Sequence, residues 1–295
     1  MNRKKKKGKL ATFLLLVLFF MIGFGIYMYP YIADAWNAYR NSMLIADYKE
    51  VVQDKEKAEE YDSVLAKADA YNKTLSSITG HLVTSAENVK DPEYESLLNY
   101  SNSGAMGYIE IPKIQIQVPV YHYSTDEVLD RGIGHIHGSS LPIGGEGTHS
   151  LLTGHRGLPE SKLFTDLDQI KVGDKFYLHM LTRDLAYEVT DINVVLPHEV
   201  DMLTIEPGED KVTLVTCTPY GVNTHRLLVT GKRTEYKEEV VEEENKEGRA
   251  LTAQSKITPM NAMVLGFIVL MLMIIISVIV SRVGGRKGQT SEEDK

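Results

Sequence analysis

Two runs without a charged residue bracket the chain: residues 10–33, LATFLLLVLFFMIGFGIYMYPYIA, and residues 257–281, ITPMNAMVLGFIVLMLMIIISVIVS. At about 1.5 Å per helical residue, each can cross a hydrocarbon layer about 30 Å thick, so the pattern predicts two membrane-spanning helices. Between them the periodicity changes twice. Over residues 36–78, Tyr61, Val64, Leu65, Ala68, Tyr71, Leu75 and Ile78 recur at spacings of three and four with Lys, Glu and Asp between, which predicts an amphipathic helical segment. Residues 79–107 lose that period and gather Gly, Ser, Asn and a proline, as a loop or covering segment does. From Met106 the period is two. GYIEIPKIQIQVPVYHY (107–123) and the runs 149–155, 175–180, 185–196, 211–217 and 225–233 read as strands, with 161–170 as the one helix among them. Many short strands at this spacing predict a mainly β fold, a closed or nearly closed barrel.

The flanking charges orient the two spans. Six basic residues in NRKKKKGK precede the first, and Arg282, Arg286 and Lys287 follow the second. Lys and Arg favour the cytoplasmic side, which puts both termini inside and the stretch between the spans outside the membrane. Ala33-Asp34-Ala35 has the form of a signal-peptide cleavage site. The apolar run before it is longer than such signals use, which favours an uncleaved anchor. The expected organisation is a basic tail (1–9), an anchor (10–33), a helical extension (34–105), a barrel (106–234), an acidic linker (235–256), a second span (257–281) and a cytoplasmic tail (282–295). The formal net charge is −8, much of it from EYKEEVVEEENKE (235–247), which reads as a solvated spacer. The one strongly basic cluster is accounted for by topology. Nucleic acid is therefore not an expected partner, whereas the lipid bilayer is.

Candidate chemistry centres on the single cysteine, Cys217. Alone in an exported domain, it can be a buried inert thiol, an intermolecular cross-link or a nucleophile. A nucleophilic thiol needs a base or cation nearby. His155, in LLTGHRG, closes a strand-like run where a side chain can project from a barrel rim. His225 and Arg226 are sequence neighbours in the next strand, so only one of them can share a face with Cys217. Arg226 reads either as a salt-bridging residue or as a fixed donor for an oxyanion. His135 and His137 alternate along one strand face, but without a third ligand nearby they read as structural histidines rather than a metal pair. LPIGG (141–145) is similar to a wall-sorting pentapeptide, yet it lies mid-domain rather than before the C-terminal span.

TLVTC (213–217) with Arg226 nine positions later resembles the signature of sortases, membrane-anchored cysteine transpeptidases of Gram-positive bacteria. The runs GYIEIPKI, GHIHGSSLPIGGEGTHSLLTGHRGLPESKLFTDLD and TLVTCTPYGVNTHRLLVTGKR resemble the class C, pilus-assembling branch, from about Gly107 to Arg233. The resemblance implies an eight-stranded sortase-type barrel with a helical N-terminal extension and two flanking spans. It implies Cys217 as nucleophile, His155 as general acid and base, and Arg226 as oxyanion and substrate-positioning group. It also implies a lid in which an Asp-Pro-aromatic triplet covers the thiol. Here the segment is Asp91-Pro92-Glu93-Tyr94, its aromatic displaced by one residue. The implied partners are pilin subunits bearing LPxTG-like sorting signals and acceptor lysines. A peptidoglycan precursor as acceptor would instead make the enzyme a wall-anchoring sortase, and a non-catalytic membrane scaffold is the reading from another class. Exchange of one amide for another is close to energy-neutral, so no cofactor is expected, and no phosphate-cradling glycine loop is present.

Overall fold

The computed structural model describes residues 2–76, 90–99, 103–199, 203–249, 265–273 and 276. The chain divides into two units, residues 30–252 and the two apolar ends, 1–29 with 253–295. Helix α1 (Asn2–Val52) is long and apolar enough to cross a membrane. Its Leu15, Phe19 and Ile26 side chains are exposed, as a lipid-facing surface requires. Of the predicted second span, residues 265–273 are helical, and most of the rest lies outside the described residues.

Eight strands close into one barrel in the order β1-β2-β3-β4-β7-β8-β6-β5. They are β1 (Ala105–Ile111), β2 (Ile116–His122), β3 (Ile133–His135), β4 (Thr148–Thr153), β5 (Lys175–Met180), β6 (Arg183–Val195), β7 (Asp210–Thr218) and β8 (His225–Thr234). β2 with β3 and β4 with β7 are the parallel pairs; every other pairing is antiparallel. The interior is filled by alternate residues of each strand, among them Ile109, Ile111, Leu152, Phe176, Leu178, Val212, Leu214, Leu227 and Val229. Closure leaves few unpaired ladder groups, which removes most of the edge that an open sheet would have to protect.

The helical extension breaks once, at the turn Lys55–Lys57, and resumes as α2 (Ala58–Ser76). Tyr61, Leu65 and Ala68 on α2 join the barrel core, so the predicted stripe is buried against the barrel. Buried polar contacts fix its register. Asn72 exchanges two hydrogen bonds with the backbone of Leu141, at 3.0 and 2.7 Å, and Arg183 reaches Asp69 through both terminal nitrogens, at 2.9 and 2.7 Å.

Two expectations are corrected. Residues 161–170 form turns and a short 3-10 helix, Leu167–Gln169, instead of an α-helix. The Phe164 N–H is taken by the His155 carbonyl, and Leu163, Phe164 and Leu167 plug the barrel end, so the backbone follows its tertiary partners. The acidic stretch is not a simple spacer. Residues 238–249 are helical, Val241 is buried against Tyr177 and Ala186, and Asn245 donates to Glu110 at 2.6 Å. One apolar side chain and the polar contacts of Glu244 and Asn245 seat that helix on the barrel.

Candidate active site

β7 carries Cys217 to the end of the barrel, and the β7–β8 register sets Arg226 directly opposite it, with His225 opposite Thr218. Directly opposed residues of an antiparallel pair share a face with Cβ atoms about 4.5–5.5 Å apart. Arg226, not His225, therefore shares the face of Cys217. That face points out of the barrel: Leu214 and Leu227 belong to the interior core, whereas Val215 and Leu228 belong to a separate outer cluster. Cys217 is half-buried. Arg226 donates through Nη1 to the carbonyls of Asn223 and His225, at 3.3 and 3.2 Å, and among the described residues no carboxylate pairs with it. A salt-bridge role is thus not what holds it. Its side chain leaves the strand pair on the face that carries Cys217.

His155 comes from the neighbouring strand. β4 runs parallel to β7 in register to Thr153 opposite Val215, two residues short of His155 on one strand and of Cys217 on the other. Three further bonds lock the two chain ends together. The Gly154 N–H donates to the Val215 carbonyl at 3.2 Å, the Thr216 hydroxyl to the Gly154 carbonyl at 2.7 Å, and Arg156 to the Thr218 hydroxyl at 2.8 Å. The Arg156 side chain is only 8% exposed, and its other terminal nitrogen, Nη2, donates to Asp168. His155 Nε2 lies 3.9 Å from Asp130 Oδ1. Arg156 and Asp130 were not anticipated from sequence; the Arg next to His155 in TGHRG was the available signal for the first.

Beside these side chains, Leu151, Val195, Leu203, Val215 and Leu228, with Ile136 and Ile205 against them, form a second, buried apolar cluster on the outer face of the barrel. It was also missed, although the doublets Leu151-Leu152, Leu214-Val215 and Leu227-Leu228 announce strands that bury both faces.

Asp91 and Tyr94, anticipated as a lid, have other partners among the described residues. Asp91 caps the helix α3 (Pro92–Ser96), accepting from the N–H groups of Glu93 and Tyr94 at 3.1 Å, and its other oxygen meets His137 Nε2 at 3.1 Å. Tyr94 is fully buried among His122, Tyr123, His135 and His137, with its hydroxyl 2.7 Å from His135 Nδ1. His135 stands opposite Leu152, level with Leu214 and so three residues from Cys217, about 10 Å along the strand direction. Asp91 and Pro92 start a helix here, aspartate as cap and proline at the first position, within a stretch expected to be a loop. The segment 77–89 before it lies outside the described residues. Replacing Asp91 by alanine should therefore leave the rate of Cys217 alkylation unchanged. It should lower stability by about 0.5–2 kcal/mol, read from denaturant midpoints; faster alkylation would restore the lid.

His135 has a consequence for pH. Burial pushes its imidazole down to about 3, against partial support from the Ser140 carbonyl, to which Nε2 donates at 2.8 Å. Burial also lowers His122 and His149. Below about pH 6.5 the unfolded chain takes up protons that the native state refuses, so stability falls as pH drops from there toward 3. Each unit by which His135 is depressed corresponds to about 1.4 kcal/mol at the acid end. Urea midpoints should fall steadily between pH 7 and pH 4.5, and a flat series would contradict the neutral, buried state of these rings.

A model described as the sortase domain matches residues 109–234. Sortase A of Streptococcus agalactiae is 26% identical over 236 residues, 77% of this chain and 87% of that protein. Among solved structures, sortase C1 from Streptococcus agalactiae is 45% identical, with a TM-score of 0.60 over 65% of this chain and 98% of that one. Group B Streptococcus pilus island 1 sortase C2 is 42% identical, with a TM-score of 0.56 over 60% of this chain and 99% of that one. The barrel residues are thus similar to class C sortases across nearly the whole of those structures.

Proposed function

Since the chain belongs to the sortase family, we propose that it is a pilus-assembling cysteine transpeptidase acting outside the membrane, with both termini cytoplasmic. Cys217 is the nucleophile, His155 the general acid and base, and Arg226 the oxyanion and substrate-positioning group. The observation that supports this reading is the register of Cys217 opposite Arg226, with β4, the strand that leads into His155, paired to β7 up to Thr153 opposite Val215.

The chemistry runs in two balanced steps. The Cys217 thiolate attacks the Thr carbonyl of an LPxTG-like signal, and the developing oxyanion is met by Arg226. The Thr–Gly C–N bond breaks as the His155 imidazolium gives its proton to the departing glycine amine, leaving a thioester. A lysine amine of the next pilin then attacks that carbonyl. Its proton passes to His155, the C–S bond breaks and an isopeptide bond forms. The thioester retains the energy of the cleaved amide, which is why no cofactor enters.

The test is acceptor choice. Incubated with an LPxTG-bearing pilin and, in parallel, with a wall-peptide mimic, the enzyme should build lysine-linked pilin oligomers. Coupling to the wall peptide alone would replace this reading by wall anchoring. Oligomers formed equally by a Cys217→Ala chain would leave only a scaffold.

A further inference from the structure

We infer that Asp130 is the positioning residue for His155, holding the ring by Nε2 so that Nδ1 is the nitrogen that exchanges the proton beside Cys217. This rests on the reading of His155 as the proton carrier. Asp130 follows α4 (Asp126–Leu129), and its backbone N–H donates to the Asp126 carbonyl at 2.9 Å, so the C-terminal turn of that helix fixes where the carboxylate starts. From there it leads into β3, which flanks β4 on the side away from β7. His155, at the end of β4, therefore has a carboxylate on one side and the thiol strand on the other. Nε2 is the nitrogen nearer the carboxylate, at 3.9 Å from Oδ1.

That distance is within ion-pair range but longer than a hydrogen bond, as is common in catalytic sites before substrate is bound. The other charged groups nearby are already engaged. Arg131 sits over the ring of Tyr121, Arg156 is taken by Thr218 and Asp168, and Lys162 pairs with Asp166. Arg226 stands across β7 from His155, opposite Cys217. Asp130 is thus the carboxylate that faces the imidazole. Its role in the reaction is to keep Nε2–H bonded while the Nδ1 proton goes to the leaving glycine amine and is recovered from the attacking lysine. The Asp130 side chain is 67% exposed and that of His155 33%, so solvent screens the pair and its effect is moderate.

The test compares the full chain with Asp130→Asn, Asp130→Glu and Cys217→Ala, measuring sorting-peptide cleavage. In Asp130→Asn, kcat/KM should fall between about 3-fold and 30-fold with KM little changed, because the loss is of orientation and charge at the proton carrier. Asp130→Glu should recover most of the loss. An Asp130→Asn kcat/KM equal to the parent's, a loss carried by KM with kcat unchanged, or a loss that Asp130→Glu does not recover, overturns the inference. Activity surviving in Cys217→Ala overturns instead the catalytic reading on which it stands.

Discussion

A Cys217→Ala enzyme is expected to form no covalent adduct with a sorting-signal peptide and to lose at least about 10⁴-fold in transpeptidation. No second thiol exists to take over, because Cys217 is the only cysteine in 295 residues. The loss should be purely chemical. Cys217 is half-buried on the outer face of β7, outside the barrel core, so removing its sulfur opens no cavity and the thermal midpoint should stay close to the parent's. Cys217→Ser keeps the shape but replaces a readily ionised thiol by a hydroxyl that the site has no strong base to activate, and it should be nearly as inactive. Substantial turnover in either variant, measured with a purified peptide and amine, would remove the nucleophile from the account.

The second large effect is at Arg226. Its alanine variant should lose about 10²- to 10³-fold in kcat, the usual consequence of removing a preorganised oxyanion donor. Stability should hardly change, because two backbone carbonyls accept from this guanidinium and no carboxylate among the described residues depends on it. Lysine at 226 should recover only part of the rate. It returns the charge as a single compact point and lacks the planar fork that can serve a carbonyl oxygen and the backbone together. If alanine lowered the melting midpoint and left kcat intact, Arg226 would be a structural residue.

The barrel was legible in the sequence because period-two alternation runs through most of its strands. The candidate site residues were singled out by the likeness of TLVTC, TGHRG and Arg226 to the sortase signature, because a lone thiol with an arginine in the next strand left an inert thiol and a salt bridge equally open. The pattern could not say which of His225 and Arg226 faces the thiol. That depends on a register fixed by long-range pairing of β7 with β8. β3 is three residues long, too short for any period to show. The turns at 161–170 kept a helical spacing of apolar residues, yet their backbone hydrogen-bonding went to tertiary partners such as the His155 carbonyl. Asp91-Pro92 reads two ways for a different reason: a helix cap and a substrate-covering triplet use the same two residue types. Only the partners, His137 for Asp91 and His135 for Tyr94, separate the two.

Mass measurement of the intact enzyme mixed with an LPxTG-type peptide, in the absence of an acceptor amine, tests the central claim most directly. The account predicts an added mass equal to the peptide up to its threonine, mapped to Cys217 and released by hydroxylamine. An adduct on another residue, or peptide cleavage with Cys217 unmodified in rapidly quenched samples, would contradict it.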